Sequence, residues 1–304
     1  MGEHRKLVLI ILIILTTIIF AGLQFTTFLA ANPTKSYGIF FRGIGNVSDT
    51  HHLDLTPASP TFSIWAIIYG WQIIMLIYCL TSTCRHTPDG PVCTSPVLLP
   101  PMFFITYIAN NISSITWLFL WDRLYFISST VFLFLIAITL YVCMVISYRA
   151  LNRHYSLLVA RERKAEIWLI ILLVQNGIAI YATWTSIASL LNLATVLAYD
   201  IPDPVEQEVA SVISLGILAV ELLLFVGTDL TIFDKYSRYV FTPYLVLVVG
   251  LSGVIAKDWN PETPTCIFAA VLLAMSIISA ICKCIRLSQV FFKRNDQDDI
   301  VLKE

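Results

Sequence analysis

The chain is divided into long apolar stretches separated by short polar segments. An α-helix that crosses about 30 Å of hydrocarbon needs roughly 20 predominantly apolar residues. Eight stretches meet this requirement, at about residues 7–30, 62–81, 98–120, 125–148, 167–199, 209–227, 240–256 and 266–287. They are continuously apolar and do not alternate with a period of two, so membrane β-strands are disfavoured. The pattern predicts an all-α, polytopic membrane helix bundle with about eight transmembrane helices.

Three of these stretches need comment. The fifth is long enough to tilt or to project past the membrane. The seventh contains Pro243 and two glycines, and its helical signal is the weakest of the eight. The first follows a basic segment, so it is either a retained helix or a cleaved signal peptide. Its apolar run is longer than the core of a usual signal peptide, which favours a retained helix.

The placement of Lys and Arg tests this arrangement independently. With the amino terminus in the cytoplasm, 15 of the 19 basic residues fall in cytoplasmic segments, and only Lys35, Arg42, Arg123 and Lys257 fall outside. This asymmetry is the positive-inside bias of multi-pass membrane proteins. It predicts that both termini are cytoplasmic. We expect the protein to reside in the plasma membrane or an endomembrane rather than in mitochondria. The sequon at Asn46 then lies outside, where it can carry an N-glycan, whereas the sequon at Asn111 lies within a span.

Composition and the absence of motifs exclude several classes of protein. Apolar residues make up 58% of the chain and charged residues 13%, against about 25% charged residues in soluble domains. The net charge of −1 and the scattered basic residues give no reason to expect a nucleic-acid partner. No catalytic, phosphate-binding or metal-binding motif occurs, and all five histidines lie in loops or near the termini. We therefore expect neither an enzyme nor a cofactor or metal.

The fifth helix is the most polar of the eight. Small and polar residues mark the helix faces that pack together in membranes, because lipid does not drive helices together. On this helix they are Gln175, Asn176, Thr183, Ser186, Ser189 and Asn192. The helix is either the centre of the bundle or the lining of a ligand site.

Other informative residues are aromatic or acidic. Trp65 and Tyr69 share a face of the second helix, whereas Trp121, beside Asp122, is typical of a membrane interface. Glu221 is the one carboxylate well inside a predicted span, where an acid is costly and usually functional. No intramembrane Lys or Arg is predicted as its partner. Asp229 and Asp234 are expected near a boundary, where water can solvate them.

Three clusters, taken in order, resemble the translocator protein family, the TspO/MBR or tryptophan-rich sensory proteins. Residues 56–69, TPASPTFSIWAIIY, are similar to the entry to that family's second helix. Residues 117–121, WLFLW, resemble its third-helix tryptophan segment, and residues 181–192, YATWTSIASLLN, its fifth-helix motif. The resemblance covers about residues 1–199, which corresponds to the five-helix bundle of the family. The three helices in residues 200–290 have no counterpart in its short members, and residues 291–304 are predicted to be a cytoplasmic tail.

The resemblance implies a function. The protein would bind, and move or sense, an apolar or amphipathic small molecule such as a tetrapyrrole or a sterol-like lipid. The pocket would be lined by Trp65, Tyr69, Trp117, Trp184, Ala188 and Asn192. Flat aromatic faces would stack on the ligand. The expected partners are membrane lipid, this hydrophobic ligand and a second copy of the chain.

Two other functions stay open. A proton-coupled transporter would use Glu221. A seven-helix receptor would require cleavage of the first helix, but the chain lacks the signatures of the commonest receptors.

Overall fold

A computed structural model describes residues 3–88, 90–257 and 259–301, with side chains up to residue 290. Within these residues, seven helices are long and apolar enough to cross a membrane. They are Glu3–Ala31, Ser59–Cys84, Pro101–Asp122, Phe126–Ala160, Lys164–Tyr199, Gln207–Leu230 and Pro264–Val290. Thr242–Lys257 is a shorter apolar helix. The predicted all-α membrane bundle is confirmed, and each of the eight predicted stretches falls largely on one of these helices.

The individual elements follow one another with short connections. The α-helices are α1 (Glu3–Ala31), α2 (Ile44–Thr50), α3 (Ile64–Cys84), α4 (Pro101–Asp122), α5 (Phe126–Ala160), α6 (Lys164–Leu169), α7 (Asn176–Tyr199), α8 (Gln207–Leu230), α9 (Asp234–Ser237), α10 (Thr242–Lys257) and α11 (Pro264–Val301). A π-helix, Ile170–Gln175, joins α6 to α7, and 3-10 helices occupy Pro33–Lys35 and Ser59–Ser63. Two-residue strands β1 (His86–Thr87) and β2 (Gly90–Pro91) pair antiparallel between α3 and α4. The sequence placed the end of the fourth stretch at residue 148, but α5 continues to Ala160.

The centre of the bundle is α7, which packs against α3, α5, α8 and α10. Of the most apolar window in Lys164–Tyr199, 72% is buried inside the protein, against at most 50% for the other long helices. Its polar side chains bond to neighbouring helices, as when the Asn192 amide donates to Ser129 Oγ at 2.9 Å. Gln175 Nε2 donates to Ser147 Oγ at 3.4 Å in the same way. The polar pattern of the fifth helix therefore marks a central helix.

The π-helix at the start of α7 is held by side chains of α3. Its i→i+5 bonding departs from the regular ladder, and such segments often mark functional regions. Trp71 Nε1 donates to the Leu172 carbonyl at 3.0 Å, and Gln72 Nε2 donates to the Gly177 carbonyl at 2.6 Å. A Cβ atom at Gly177 would lie 2.8 Å from Trp71 Cδ1. The close approach of α3 to α7 therefore requires glycine at this position.

The same region of α7 caps the start of α10. Asn176 Oδ1 accepts the backbone N–H groups of Phe241 at 3.1 Å and Thr242 at 3.4 Å. Its Nδ2 donates to the Tyr239 carbonyl at 3.0 Å, and Thr242 Oγ1 donates to the Asn176 carbonyl at 2.9 Å. The first N–H groups of a helix have no partner within the helix, so they need acceptors of this kind inside a membrane.

The other end of α10 reaches the start of α3. The Gly253 carbonyl accepts the Ala58 N–H at 2.9 Å, and a Cβ atom at Gly253 would lie 2.7 Å from Thr61 Cγ2. With 16 residues, α10 spans about 24 Å, somewhat less than the hydrocarbon core. The seventh predicted stretch is therefore a helix that runs alongside α7 from Asn176 to the level of Thr61 and is shorter than a full span.

The loop between α1 and α3 is tied to the end of α4 by a buried carboxylate. Asp122 Oδ1 accepts the backbone N–H groups of Phe41 at 2.8 Å and Arg42 at 2.7 Å. Asp122 Oδ2 pairs with the guanidinium of Arg123 at 3.0 Å. Charged acceptors make the stronger hydrogen bonds in proteins. Asp122 is therefore the anchor of this loop.

Trp121 contributes to the same junction. Its Nε1 donates to the Ile44 carbonyl at 3.2 Å, and its ring packs edge-on against Phe126 with the centroids 5.3 Å apart. Only 6% of the residue is exposed. The sequence predicts Trp121 at the membrane interface, and in the structure α2 and the loop that precedes it cover the side chain.

We expect replacement of the loop anchor to release the loop without unfolding the bundle. In Asp122→Ala, two backbone N–H groups lose a charged acceptor, each bond contributing roughly 1.5–3 kcal/mol. Amide hydrogen exchange in residues 39–50 should accelerate by at least about 10-fold. Asp49→Ala, which removes an exposed carboxylate from α2, is the matched control and should leave this exchange unchanged. Equal exchange in both variants would show that the carboxylate of Asp122 does not hold the loop.

Candidate functional site

Three of the residues assigned to a ligand pocket by resemblance lie together. Trp65 stacks on Tyr69, with ring centroids 5.4 Å apart, and meets Trp184 edge-on at 6.3 Å. Tyr181 completes the group at 6.0 Å from Trp65 and 6.3 Å from Tyr69. We call these four residues the aromatic cluster. The helices that carry two of the family-like segments, α3 and α7, pack together, and the rings of the cluster are in contact with one another.

The other three residues have different neighbours. Trp117 stacks on Trp121, with the centroids 6.0 Å apart. Asn192 is directed to α5 through its bond to Ser129. Ala188 is partly buried against the main core. The structure therefore brings together half of the proposed pocket residues, while Trp117 lies beside Trp121 near the end of α4 and Asn192 is bonded to α5.

A cavity of about 260 Å³ lies between α5, α7, α8 and α10. We call it the cleft. Its apolar wall includes Ile187, Leu218, Leu222, Phe225 and Leu247. Polar side chains also line it, and they include Tyr141 and Tyr148 from α5, Thr183 and Ser186 from α7, and Glu221 and Asp229 from α8. No member of the aromatic cluster lines the cleft, because Thr183 and Ser186 occupy the face of α7 that borders it.

Glu221 lies in the wall of the cleft and is partly buried. In the part of the chain that the structure describes, its carboxyl group has no hydrogen bond or ion pair. Tyr148 Oη, which also borders the cleft, is buried and likewise has no partner among the described atoms. In contrast, Tyr141 Oη and Ser186 Oγ are hydrogen-bonded to each other at 2.9 Å. The cleft therefore combines apolar surface with a carboxyl and a hydroxyl group that are free to bind.

The tyrosines of α5 were not recognised from the sequence. Tyr141 and Tyr148 are separated by seven residues, which is two helical turns, and so they lie on one face of α5. This spacing was visible in the sequence. It could not be distinguished from ordinary aromatic packing without knowledge of which helices face α5.

Asp229, which also lines the cleft, forms an ion pair with a lysine. Its Oδ2 lies 2.7 Å from Lys283 Nζ, and only 4% of each residue is exposed. Tyr244 Oη donates to the same oxygen at 2.6 Å, and Lys283 Nζ also donates to the Ser237 carbonyl. We expected water to solvate Asp229. This expectation was wrong, because α8 and α11 pack together and bury the pair.

Asp234 forms a second ionic group nearby, on α9. Its Oδ2 accepts from Arg238 at 2.6 Å and from Arg286 at 3.5 Å, and the residue is buried. Burial by itself raises the pKa of Asp234, but the hydrogen bond and charge of Arg238, together with the charges of Arg286 and Lys283, outweigh it and lower the pKa below its usual value. The expectation that water solvates Asp234 was also wrong, since arginines take that role.

We expect loss of one partner of the buried pair to be costly. Lys283→Met leaves the Asp229 carboxylate buried and uncompensated, which should lower the free energy of unfolding by about 3–5 kcal/mol. Adding Asp229→Asn to this variant removes the unpaired charge and should restore much of the loss. The measurement is denaturant unfolding in detergent micelles, with the exposed Lys164→Met as control. A double variant no more stable than Lys283→Met would contradict the pairing.

Comparison with known proteins gives a family that fits this architecture. A family model described as TSPO-like protein matches residues 7–282. Neither the comparison with curated proteins nor that with solved structures gave a match. The resemblance to the translocator protein family in the sequence ends at about residue 199. The family model extends further and includes α8, α10 and most of the last span. The chain, a multi-pass helical membrane protein, belongs to the TSPO-like family.

Proposed function

We propose that the protein binds an amphipathic small molecule within the membrane, and that the binding site is the cleft. The observation that carries this proposal is the position of Glu221, Thr183 and Ser186 in the wall of an otherwise largely apolar cavity. Ligand sites are typically apolar concavities with a few polar groups that orient the ligand. An amphipathic molecule can place its apolar body against Leu218 and Leu222 and its polar group against α7 and α8.

The size of the cleft restricts the ligand. Its volume of about 260 Å³ is just below the range of roughly 300–1,000 Å³ that is usual for drug-sized ligands. This favours a single-chain amphiphile or part of a sterol-like molecule over a tetrapyrrole macrocycle. Such a ligand would enter the cleft from the surrounding lipid bilayer.

The aromatic cluster is a second candidate for the site, by resemblance to the translocator protein family. One observation favours it: the indole N–H group of Trp184 is buried and has no acceptor among the described atoms. A ligand that displaced the ring contacts could supply one. The two sites use opposite faces of α7, so variants can separate them.

We expect a bulky residue in the cleft to block binding. Leu218→Trp places a larger ring in the cavity and removes apolar contact with the ligand, for a loss of roughly 1–3 kcal/mol, or about 5- to 150-fold in affinity. Ile217→Trp makes the same change at the neighbouring, more exposed position outside the cleft and should have little effect. The measurement is a titration of the purified full chain with a porphyrin, cholesterol and dodecanol side by side.

The same titration tests the aromatic cluster. If the cleft is the site, Trp184→Phe should retain binding within about twofold. Weakening by Trp184→Phe but not by Leu218→Trp would move the site to the aromatic cluster. Failure of the wild-type chain to bind any of the three probes would contradict the proposed function.

We further propose that both termini are cytoplasmic and that the loop between α1 and α3 lies outside. The positive-inside bias supports this topology. Asn46 is exposed on α2, whereas Asn111 is buried in α4. In a eukaryotic secretory pathway, we expect a glycosidase-sensitive shift in gel mobility that Asn46→Gln abolishes and Asn111→Gln does not. Tags at either end that are accessible on intact cells would contradict this topology.

A further inference from the structure

We propose that the cleft selects a cationic amphiphile, meaning a protonated amine on an apolar body, through the carboxylate of Glu221. This inference rests on the proposed function and adds the chemical class of the ligand. It follows from the distribution of charge around the cleft, from the groups that can bind an ammonium and from the apolar surface beside them.

The charge of the cleft is set by one residue. Among the side chains that line it, Glu221 and Asp229 are acidic, and no Lys, Arg or His from the described part of the chain is present. Asp229 is already paired with Lys283 at 2.7 Å and accepts a hydrogen bond from Tyr244. Lys283 itself does not line the cleft. A ligand in the cleft therefore meets a neutral ion pair at one end and the unpaired carboxyl of Glu221 beside it.

An unpaired carboxylate within a membrane bundle favours a cationic partner. Transfer of an ionised carboxylate out of water is costly unless the charge is paired and hydrogen-bonded. Because no cationic side chain in the described chain pairs with Glu221, a ligand cation can fill this role. An anionic head group would instead add like charge in a region of low dielectric constant.

The rest of the wall suits an ammonium group and its apolar body. Tyr141 is close enough to Glu221 to interact with its charge, and a phenolic oxygen can accept a hydrogen bond from an ammonium. The rings of Tyr141 and Phe225 also border the cleft, and aromatic faces attract cations. Leu218 and Leu222 provide apolar surface on the same helix as Glu221. A neutral alcohol uses this apolar surface as well but gains nothing from the negative charge.

The test compares three head groups on the same alkyl chain. The purified full chain, in micelles at neutral pH, is titrated with radiolabelled dodecylamine, dodecanol and dodecanoate, of which the amine is protonated and the carboxylate ionised. We expect the wild type to bind dodecylamine at least about 10-fold more tightly than dodecanol, and dodecanoate most weakly. This order is measured without any substitution, so it does not depend on whether a variant folds.

Two substitutions identify the residue that is responsible. Glu221→Gln keeps the shape of the side chain and removes its charge, so dodecylamine should bind about 10- to 100-fold more weakly while dodecanol changes by less than about twofold. Asp203→Asn removes an exposed carboxylate from the loop before α8 and should leave all three affinities unchanged. A loss of the amine preference in Glu221→Gln alone would support the assignment.

The outcomes separate this inference from the function on which it rests. Equal affinity for the three head groups, a preference for dodecanoate, or an amine preference that survives Glu221→Gln would overturn the inference. If the inference is overturned but Leu218→Trp weakens dodecanol binding as predicted, the cleft remains a binding site without charge selection. If Leu218→Trp weakened none of the probes, both the site and the inference would be rejected.

Discussion

Polar groups inside this bundle must find their partners within the protein, because the hydrocarbon core offers none. Asn176 meets this requirement where a π-helix leads into α7 and α10 begins alongside, because backbone groups at these two places lack regular helical partners. Its side-chain amide bonds to the chain before and at the start of α10, while Trp71 and Gln72 of α3 bond to carbonyls of the π-helix and of Gly177. These bonds hold α3, α7 and α10 in one arrangement, and α5 and α8 pack against the same central helix.

This arrangement also produces the cleft. Because α7 packs against both α5 and α8, the face of α7 that carries Thr183 and Ser186 borders a space between those two helices. The opposite face carries Tyr181 and Trp184, which pack against the rings of α3. The candidate site thus draws on helices from both sides of residue 199, and the later helices of the chain are part of the site as well as part of the bundle.

The two acidic residues of α8 in the cleft wall differ in the way they are satisfied. Asp229 has Lys283 and Tyr244 as partners and forms part of the contact between α8 and α11. Glu221, eight residues earlier on the same helix, has no such partner among the described residues. A buried ion pair contributes modestly to the free energy of unfolding, but removal of one of its two charged partners is costly. Asp229 therefore takes part in helix packing, whereas Glu221 has no such role among the described residues.

The sequence by itself determined the membrane bundle and the number of apolar helices, because hydrophobic length is a local property of the chain. Its small and polar residues left the fifth helix either at the centre of the bundle or in the lining of a ligand site, and the structure places it at the centre. The sequence also identified Glu221, while the resemblance to the translocator protein family implied that Trp65 and Trp184 share a pocket. Only the tertiary structure decided that Trp121 is covered by α2, that Lys283 pairs with Asp229 and that Tyr141 and Tyr148 border the same cavity as Glu221. Each of these depends on which helices are neighbours and how they are rotated. In a membrane, one apolar face resembles another, so the sequence of a single helix does not specify its neighbour.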